Sequence, residues 1–179
     1  MIPRLAMEEM TPELQERLRP RVQRLGYLGE FFRCAAHQPR ALSSFLAFTE
    51  DLKEALPEEL TELVALTVAA RMDNAYERVQ HERLSLKLGL GEDWIRAVLA
   101  LCPDQPSLPE APRRVQELVI AMIERNGHAT TRELAAVVRV IGHTQAVAVL
   151  LLVGRYVTHA LFVNALELPP PVPSPFERG

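Results

Sequence analysis

Two glutamates and one histidine lie close together in this sequence at spacings suited to proton transfer. Glu77 and His81 are four residues apart, so on a helix they share one face. A carboxylate beside an imidazole orients the ring and raises its pKa, which is half of a general acid/base relay. Glu62 lies on the preceding segment among Ala and Leu residues, and it meets His81 if the two segments fold back on each other. The alternative is an ordinary solvated pair at helical spacing.

A second group of polar residues occurs in the apolar segment near the C-terminus. Arg155 can hold a substrate carboxylate with two hydrogen bonds, and Tyr156 can donate to a developing oxyanion. The alternative is that Arg155 pairs with a glutamate of a neighbouring helix or subunit, while His159 is a core histidine. Because buried charges are usually paired, the sequence favours this alternative.

The sequence contains little else that could bind a metal or a cofactor. No two histidines have a metal-binding spacing, although Glu62, Glu77 and His81 could in principle bind zinc. Cys34 and Cys102 are far apart and have no partner at redox or metal-ligand spacing, which predicts two buried, unreactive thiols. The glycines are isolated and form no phosphate-binding loop. We therefore expect no metal and no cofactor.

Prolines and helical periodicity indicate which elements position these residues. No proline occurs in residues 58–102 or 113–168, so long helices fit there. Asp73 and Asn74 predict a break between a helix from about residue 58 and one over about 75–88. Thr130 and Glu133 fit a capping box. No segment alternates like a strand. We predict an all-α chain with one domain over residues 1–168 and a proline-rich, extended or disordered tail over residues 169–179.

Charge and hydropathy exclude several classes of protein. The chain of 179 residues has a net charge of −3 and a pI of about 6.0, unlike a basic nucleic-acid-binding domain. The N-terminus lacks the apolar run of a signal peptide. The uninterrupted apolar run at residues 146–153 is too short to span a bilayer, and Arg155 and His159 follow it. We expect a cytoplasmic protein that binds a small-molecule substrate and neither nucleic acid nor membrane.

Residues 58–90 resemble the core of the carboxymuconolactone decarboxylase and alkylhydroperoxidase D-like family. The resemblance rests on Glu62, the LVALTVAA run, Asn74, Tyr76, Glu77, His81 and the Leu88-Gly89-Leu90 exit. The redox branch of that family has a glutamate, a Cys-x-x-Cys pair and a histidine four residues after the second cysteine. Here Asn74 and Glu77 occupy the two cysteine positions, so the sequence is more similar to the decarboxylase-like branch. Without thiols at these positions, disulfide cycling cannot occur there.

The resemblance implies a fold, an assembly and an activity. It implies a helical bundle of the alkylhydroperoxidase D-like type that assembles as a trimer or a hexamer, with the site near a subunit interface. It also implies a cofactor-free lyase or isomerase that moves protons on a small carboxylated or lactone substrate.

The roles that follow from this hypothesis are specific. His81 would be the general acid/base, Glu77 would orient it, and Glu62 would be a second proton-transfer group. Tyr76, Asn74 and Arg155 would bind the substrate. Two alternatives stay open: a thiol peroxidase that lacks the Cys-x-x-Cys pair, and a helical oligomer without catalytic activity.

Overall fold

The computed structural model describes residues 2–103 and 108–176 of the chain. Over these residues it contains α-helices and a short 3₁₀ turn at Met7–Glu9, and no strand. The all-α prediction is confirmed. The helices are α1 Pro12–Leu25, α2 Glu30–Ala35, α3 Pro39–Glu54, α4 Glu58–Arg71, α5 Ala75–Lys87, α6 Glu92–Leu99, α7 Glu110–Glu124 and α8 Thr131–Ala165.

Helix α4 is the centre of the bundle. Every residue from Leu60 to Ala69 is buried, because α5, α6, α7 and α8 all pack against it. A helix that is apolar on all sides is stable only when it is enclosed in this way. Glu62 is the one charged residue in this buried stretch, so the fold places a carboxyl group inside the core.

Two apolar clusters fill the bundle. The larger one surrounds α4 and includes Leu118 of α7 and Leu152 of α8, both fully buried. The smaller one joins α1, α2 and α3 and includes Leu18, Phe31 and Tyr76. Because Tyr76 lies on α5, this second cluster packs the N-terminal helices against the α4–α5 pair.

Helix α8 is bent at Gly142, where φ is 78° and ψ is 171°. Residues that carry a side chain rarely adopt a positive φ, so the glycine at this position allows the helix to break. The sequence predicted two helices here, ending at Val140 and beginning near His143, and the break agrees with it. The predicted capping box is absent. Thr130 makes no cap hydrogen bond and its hydroxyl donates instead to the Gly127 carbonyl.

Helix α8 is long and apolar enough to resemble a membrane span. Among the described residues one helix, Thr131–Ala165, meets that criterion of length and composition, and 56% of its apolar window is buried inside the fold. Its buried face packs on α4 and α3. The helix therefore packs as a core helix of the bundle.

The described part of the proline-rich tail, residues 169–176, contains a bend at residues 171–172 and a turn at residues 175–176, and it packs onto α5. Ser174 is buried and donates a 2.6 Å hydrogen bond to Glu82. Arg83 donates to the Pro173 carbonyl, and Phe176 packs against the larger cluster. Residues 177–179 lie outside the described part of the chain.

Candidate acid/base site

A tight turn brings α4 and α5 together. Asp73 has a φ of 49°, and Asn74 follows it as the N-cap of α5. The Asn74 side chain accepts a 3.1 Å hydrogen bond from the backbone N–H of Glu77. The backbone N–H of Asn74 donates to the Ala69 carbonyl. Both contacts satisfy backbone groups that would be unpaired at the helix ends. The turn folds α5 back along α4.

This packing places Glu62 and His81 in direct contact. The His81 Nδ1 atom lies 2.6 Å from Glu62 Oε2, and its Nε2 atom lies 3.5 Å from Glu77 Oε2. The exposed fraction is 2% for Glu62 and 6% for each of Glu77 and His81. Both imidazole nitrogens therefore face carboxyl groups inside the core, and the solvated-pair interpretation does not apply.

Helix α8 adds two residues, Arg155 and His159, to the polar cluster formed by Glu62, Glu77 and His81. Arg155 donates from Nη1 to Glu77 Oε1 at 3.0 Å and from Nε to the Thr49 hydroxyl of α3 at 3.1 Å. His159 Nδ1 lies 3.3 Å from the same Glu77 oxygen. Glu77 thus links His81 through one oxygen to Arg155 through the other.

The environment of His81 favours its charged form. Burial opposes the imidazolium, but the charges and hydrogen bonds of Glu62 and Glu77 outweigh it and raise the pKa of His81 to about 9. Burial also opposes ionisation of Glu77. Three groups nevertheless hold the pKa of Glu77 well below its usual range: His159, which is positive at the low pH where Glu77 titrates, the hydrogen bond from His81, and the Arg155 guanidinium.

His159 behaves differently from His81 although both are buried. Burial lowers the pKa of His159 to about 4, and Arg155 adds to this effect while Glu77 opposes it. Near neutral pH the site therefore holds a protonated His81 and an uncharged His159. The second histidine stacks on Phe31 at a centroid distance of 4.1 Å, as a core aromatic does.

Tyr156 forms a wall of the site and keeps its hydroxyl free. Its ring meets the His81 ring edge to face at 5.3 Å, and the Arg155 guanidinium lies 4.3 Å from its centroid. The hydroxyl is buried and has no hydrogen-bond partner within the part of the chain that the structure describes. Such a donor is rare in a protein core unless something else binds it.

The structure brings four of the predicted site residues together: Glu62, Glu77, His81 and Arg155. The other two have structural contacts. Asn74 caps α5, and the Tyr76 hydroxyl accepts a 3.2 Å hydrogen bond from the Phe31 N–H.

Thr49 of α3 was not predicted as a site residue. No sequence signal marks it, because the packing of α3 on α8 brings it to Arg155.

The two cysteines lie elsewhere. Cys34 is buried in the smaller cluster and Cys102 is exposed, and both are free thiols. The prediction that both thiols are buried is therefore wrong for Cys102, which follows the end of α6 at the surface. Burial raises the pKa of the Cys34 thiol, so it is a poor nucleophile.

The site does not have the arrangement of a metal centre. Among residues 2–103 and 108–176, no three His, Cys, Asp or Glu side chains are placed to hold an ion. The two carboxyl groups bind opposite nitrogens of one imidazole instead of converging on one point. This arrangement suits proton transfer between the imidazole and a carboxyl group.

Comparison with known proteins agrees with the fold. Residues 39–102 match the carboxymuconolactone decarboxylase family, and this range includes the whole α4–α5 pair. No curated protein sequence matches the chain.

Three solved structures are similar. A peroxidase-related protein with an alkylhydroperoxidase AhpD core, from Ralstonia eutropha JMP134, has a TM-score of 0.82 at 13% identity, covering 94% of this chain and 90% of its own. A variant of the debrominase Bmp8 bound to 2,3,4-tribromopyrrole has a TM-score of 0.81 at 14% identity, with the same coverage of both chains. An Agrobacterium tumefaciens protein of unknown function, a putative antioxidant defence protein AhpD, has a TM-score of 0.68 at 17% identity, covering 78% and 96%.

Proposed function

We propose that this chain, whose residues 39–102 match the carboxymuconolactone decarboxylase family, is a cofactor-free acid/base enzyme of the lyase or isomerase type. Its substrate is a small carboxylated or lactone compound. The observation that carries the proposal is the buried His81, held between Glu62 at 2.6 Å and Glu77 at 3.5 Å. A protonated imidazole in a dry site both donates a proton and stabilises developing negative charge.

Each residue has a defined part in the reaction. In a decarboxylation the bond to the carboxylate breaks, CO₂ leaves, and the electron pair moves into an enolate. The His81 imidazolium stabilises that charge, and its proton reaches the carbanion carbon with Glu62 as the second transfer group. Solvent then returns a proton to His81. Glu77, fixed by Arg155, keeps the imidazole in position.

The same residues argue against a thiol peroxidase. The fold neighbours that are named for peroxidase or antioxidant roles share the fold only, at 13% and 17% identity. Positions 74 and 77 carry Asn and Glu. Cys34 is buried with a raised pKa and does not contact the cluster, so a dithiol cycle has no site there.

The decisive experiment measures proton exchange and CO₂ release over a panel of small lactone acids and oxo acids. Glu62→Gln and His81→Gln should each abolish turnover while far-UV circular dichroism stays unchanged. Glu82→Gln is the matched control, because Glu82 is also buried on α5 but hydrogen-bonds Ser174. If no compound turns over, the acid/base proposal loses its support and the non-catalytic helical oligomer stands as the alternative.

A parallel assay tests the peroxidase. Hydroperoxide is supplied with a dithiol reductant, and the wild-type protein should show no turnover. Robust turnover that is lost in Cys34→Ser or Cys102→Ser would replace the acid/base proposal by the thiol one.

We also propose that the protein forms a homo-oligomer, either a trimer or a hexamer, and that it is located in the cytoplasm. The exposed face of the second half of α8 supports self-association. It carries Val147, Leu151 and Leu161, which are 53%, 46% and 59% exposed. Gly154 lies midway between Val147 and Leu161, and an added Cβ there would meet open space. Two antiparallel copies would place Gly154 against Gly154 and Val147 against Leu161, a twofold contact of the kind that joins two trimers into a hexamer.

Substitution at this face tests the assembly. Leu151→Glu should reduce the molecular mass measured by light scattering, because a buried unpaired charge opposes association. Leu86→Glu is the control, since Leu86 is an exposed leucine of α5. A wild-type protein that is monomeric at assay concentration would reject the oligomer.

A further inference from the structure

A cavity of about 510 Å³ lies between α7 and the first half of α8. Its apolar walls include Ala121 of α7, Ala136 of α8 and Leu101, which follows α6. Alanine side chains leave space between two helices that larger side chains would fill, so residue size at these positions accounts for the cavity. No member of the acid/base site is among the described residues that line it. The volume is that of a site for a small organic molecule.

The polar walls of this cavity carry more arginine than glutamate. Four arginines and three glutamates are among the described residues that line it. Each of these glutamates already has an arginine partner. Arg114 binds Glu117 at 2.9 Å, and Glu124 pairs with Arg71, which comes from α4 and is a fifth guanidinium beside the cavity. These two glutamates therefore have no charge left to neutralise a further arginine.

The third glutamate, Glu133, is shared by two arginines. Arg125 and Arg132 approach the same oxygen, Oε1, at 3.3 and 3.4 Å, so one carboxylate faces two guanidinium groups. Arg139 lies three residues after Ala136 on α8, and it makes no ion pair within the part of the chain that the structure describes. The five arginines thus exceed the three glutamates by two positive charges.

From this excess of charge we infer that the cavity is a binding site for a small organic anion with an apolar body. The carboxylate or phosphate group of such a ligand would accept paired hydrogen bonds from Arg139 and Arg132, because a guanidinium matches the geometry of these groups. Its apolar body would lie against Ala121 and Ala136, which an inorganic ion would leave in contact with water. The inference goes beyond the proposed function, since it assigns a second site and no reaction.

Isothermal titration calorimetry of the full-length protein tests the site with naphthalene-2-carboxylate as the probe. The carboxylate should bind saturably, and the neutral naphthalene-2-carboxamide should bind about tenfold more weakly or not at all, because it lacks the charge. Titration with 2-naphthyl phosphate separates the two head groups, and the tighter binder identifies the group that the arginines recognise. An amide that binds as tightly as the carboxylate, or no saturable binding of either anion, would overturn the inference.

Two pairs of variants locate the bound probe. Ala136→Leu should abolish binding by filling the cavity, whereas Ala135→Leu, at an exposed position next to it, should leave binding unchanged. Leucine is a good helix former, so both variants should fold. Arg139→Gln should weaken binding about tenfold, and Arg40→Gln, at an exposed arginine of α3, should have no effect. Undiminished binding by Ala136→Leu, or equal losses within either pair, would overturn the inference.

The same titration distinguishes this cavity from the acid/base site. Binding should be equally tight in the wild-type protein and in His81→Gln, because no member of the acid/base site lines the cavity. Binding that is lost in His81→Gln and kept in Ala136→Leu would place the anion at the acid/base site and reject the cavity. Binding that depends on Ala136, in a protein that turns over no compound, would support the cavity while the lyase proposal fails.

Discussion

Replacing Glu62 by Gln should change the titration of His81 and the pH dependence of folding together. The raised pKa of His81, from an ordinary 6.5 to about 9, corresponds to about 3 kcal/mol of extra stability of the protonated form in the folded chain. Glu62 is the nearer carboxyl group, at 2.6 Å against 3.5 Å for Glu77. Removing its charge should therefore lower the pKa of His81 by about 1–3 units.

The sign of the stability effect follows from proton linkage. His81 binds its proton more tightly in the folded chain than in the unfolded one, so its contribution is complete below pH 6.5 and is lost as the pH rises through about 9. Between pH 6.5 and 8.5 the free energy of unfolding should fall by about 2 kcal/mol from this group. The thiol of Cys34, whose raised pKa starts from 9.0, affects stability mainly above this range.

The assay is urea unfolding at pH 6.5, 7.5 and 8.5, with Trp94 fluorescence as the signal and NMR titration of the imidazoles in parallel. Trp94 is the sole tryptophan and hydrogen-bonds Glu59, so it reports unfolding from outside the site. Glu62→Gln should flatten the pH dependence, while Glu82→Gln should preserve it. A wild-type His81 that titrates near 6.5, or an unchanged slope in Glu62→Gln, would refute the reasoning.

Three further substitutions test the packing around the site by urea unfolding. Arg155→Ala should cost about 3–5 kcal/mol, because it leaves Glu77 buried and ionised without its guanidinium partner. Gly29→Ala should destabilise the fold, since the new Cβ would lie 2.6 Å from the Tyr76 hydroxyl, and Tyr76→Phe should relieve most of that loss. Ser174→Ala should cost about 1–3 kcal/mol by removing the hydrogen bond that ties the tail to α5, and unchanged stability would show that the tail does not brace that helix.

The α4–α5 pair could be predicted from sequence because its signals are local. Glu58 begins α4 directly after a proline, Asn74 caps α5, and a glycine follows its end. Glu62 and His81 are 19 residues apart and the turn between them is short, so their contact follows from two helices and one reversal. The capping box predicted from Thr130 and Glu133 does not form, so a local sequence signal does not always determine the structure. Glu133 is held by Arg125 and Arg132 instead.

The other half of the cluster depends on distant packing that no spacing reveals. Arg155 lies 78 residues from Glu77 and 106 from Thr49. The sequence favoured a glutamate partner for Arg155 because buried charges are paired, but it could not specify which glutamate.

The energetic cost of the cluster bears on what it is for. Two carboxyl groups, two histidines and an arginine are buried where α3, α4, α5 and α8 meet, and Glu62 interrupts a helix that is otherwise apolar on every side. Buried ion pairs seldom stabilise a fold more than apolar residues of similar volume do, because desolvation offsets the Coulombic gain. A protein that only needed a stable bundle would be served as well by leucines at positions 62 and 81. The Tyr156 hydroxyl, which is buried without a hydrogen-bond partner among the described residues, adds a further cost. These costs favour the acid/base enzyme over the non-catalytic assembly, because proton transfer makes use of a charged imidazole kept away from water.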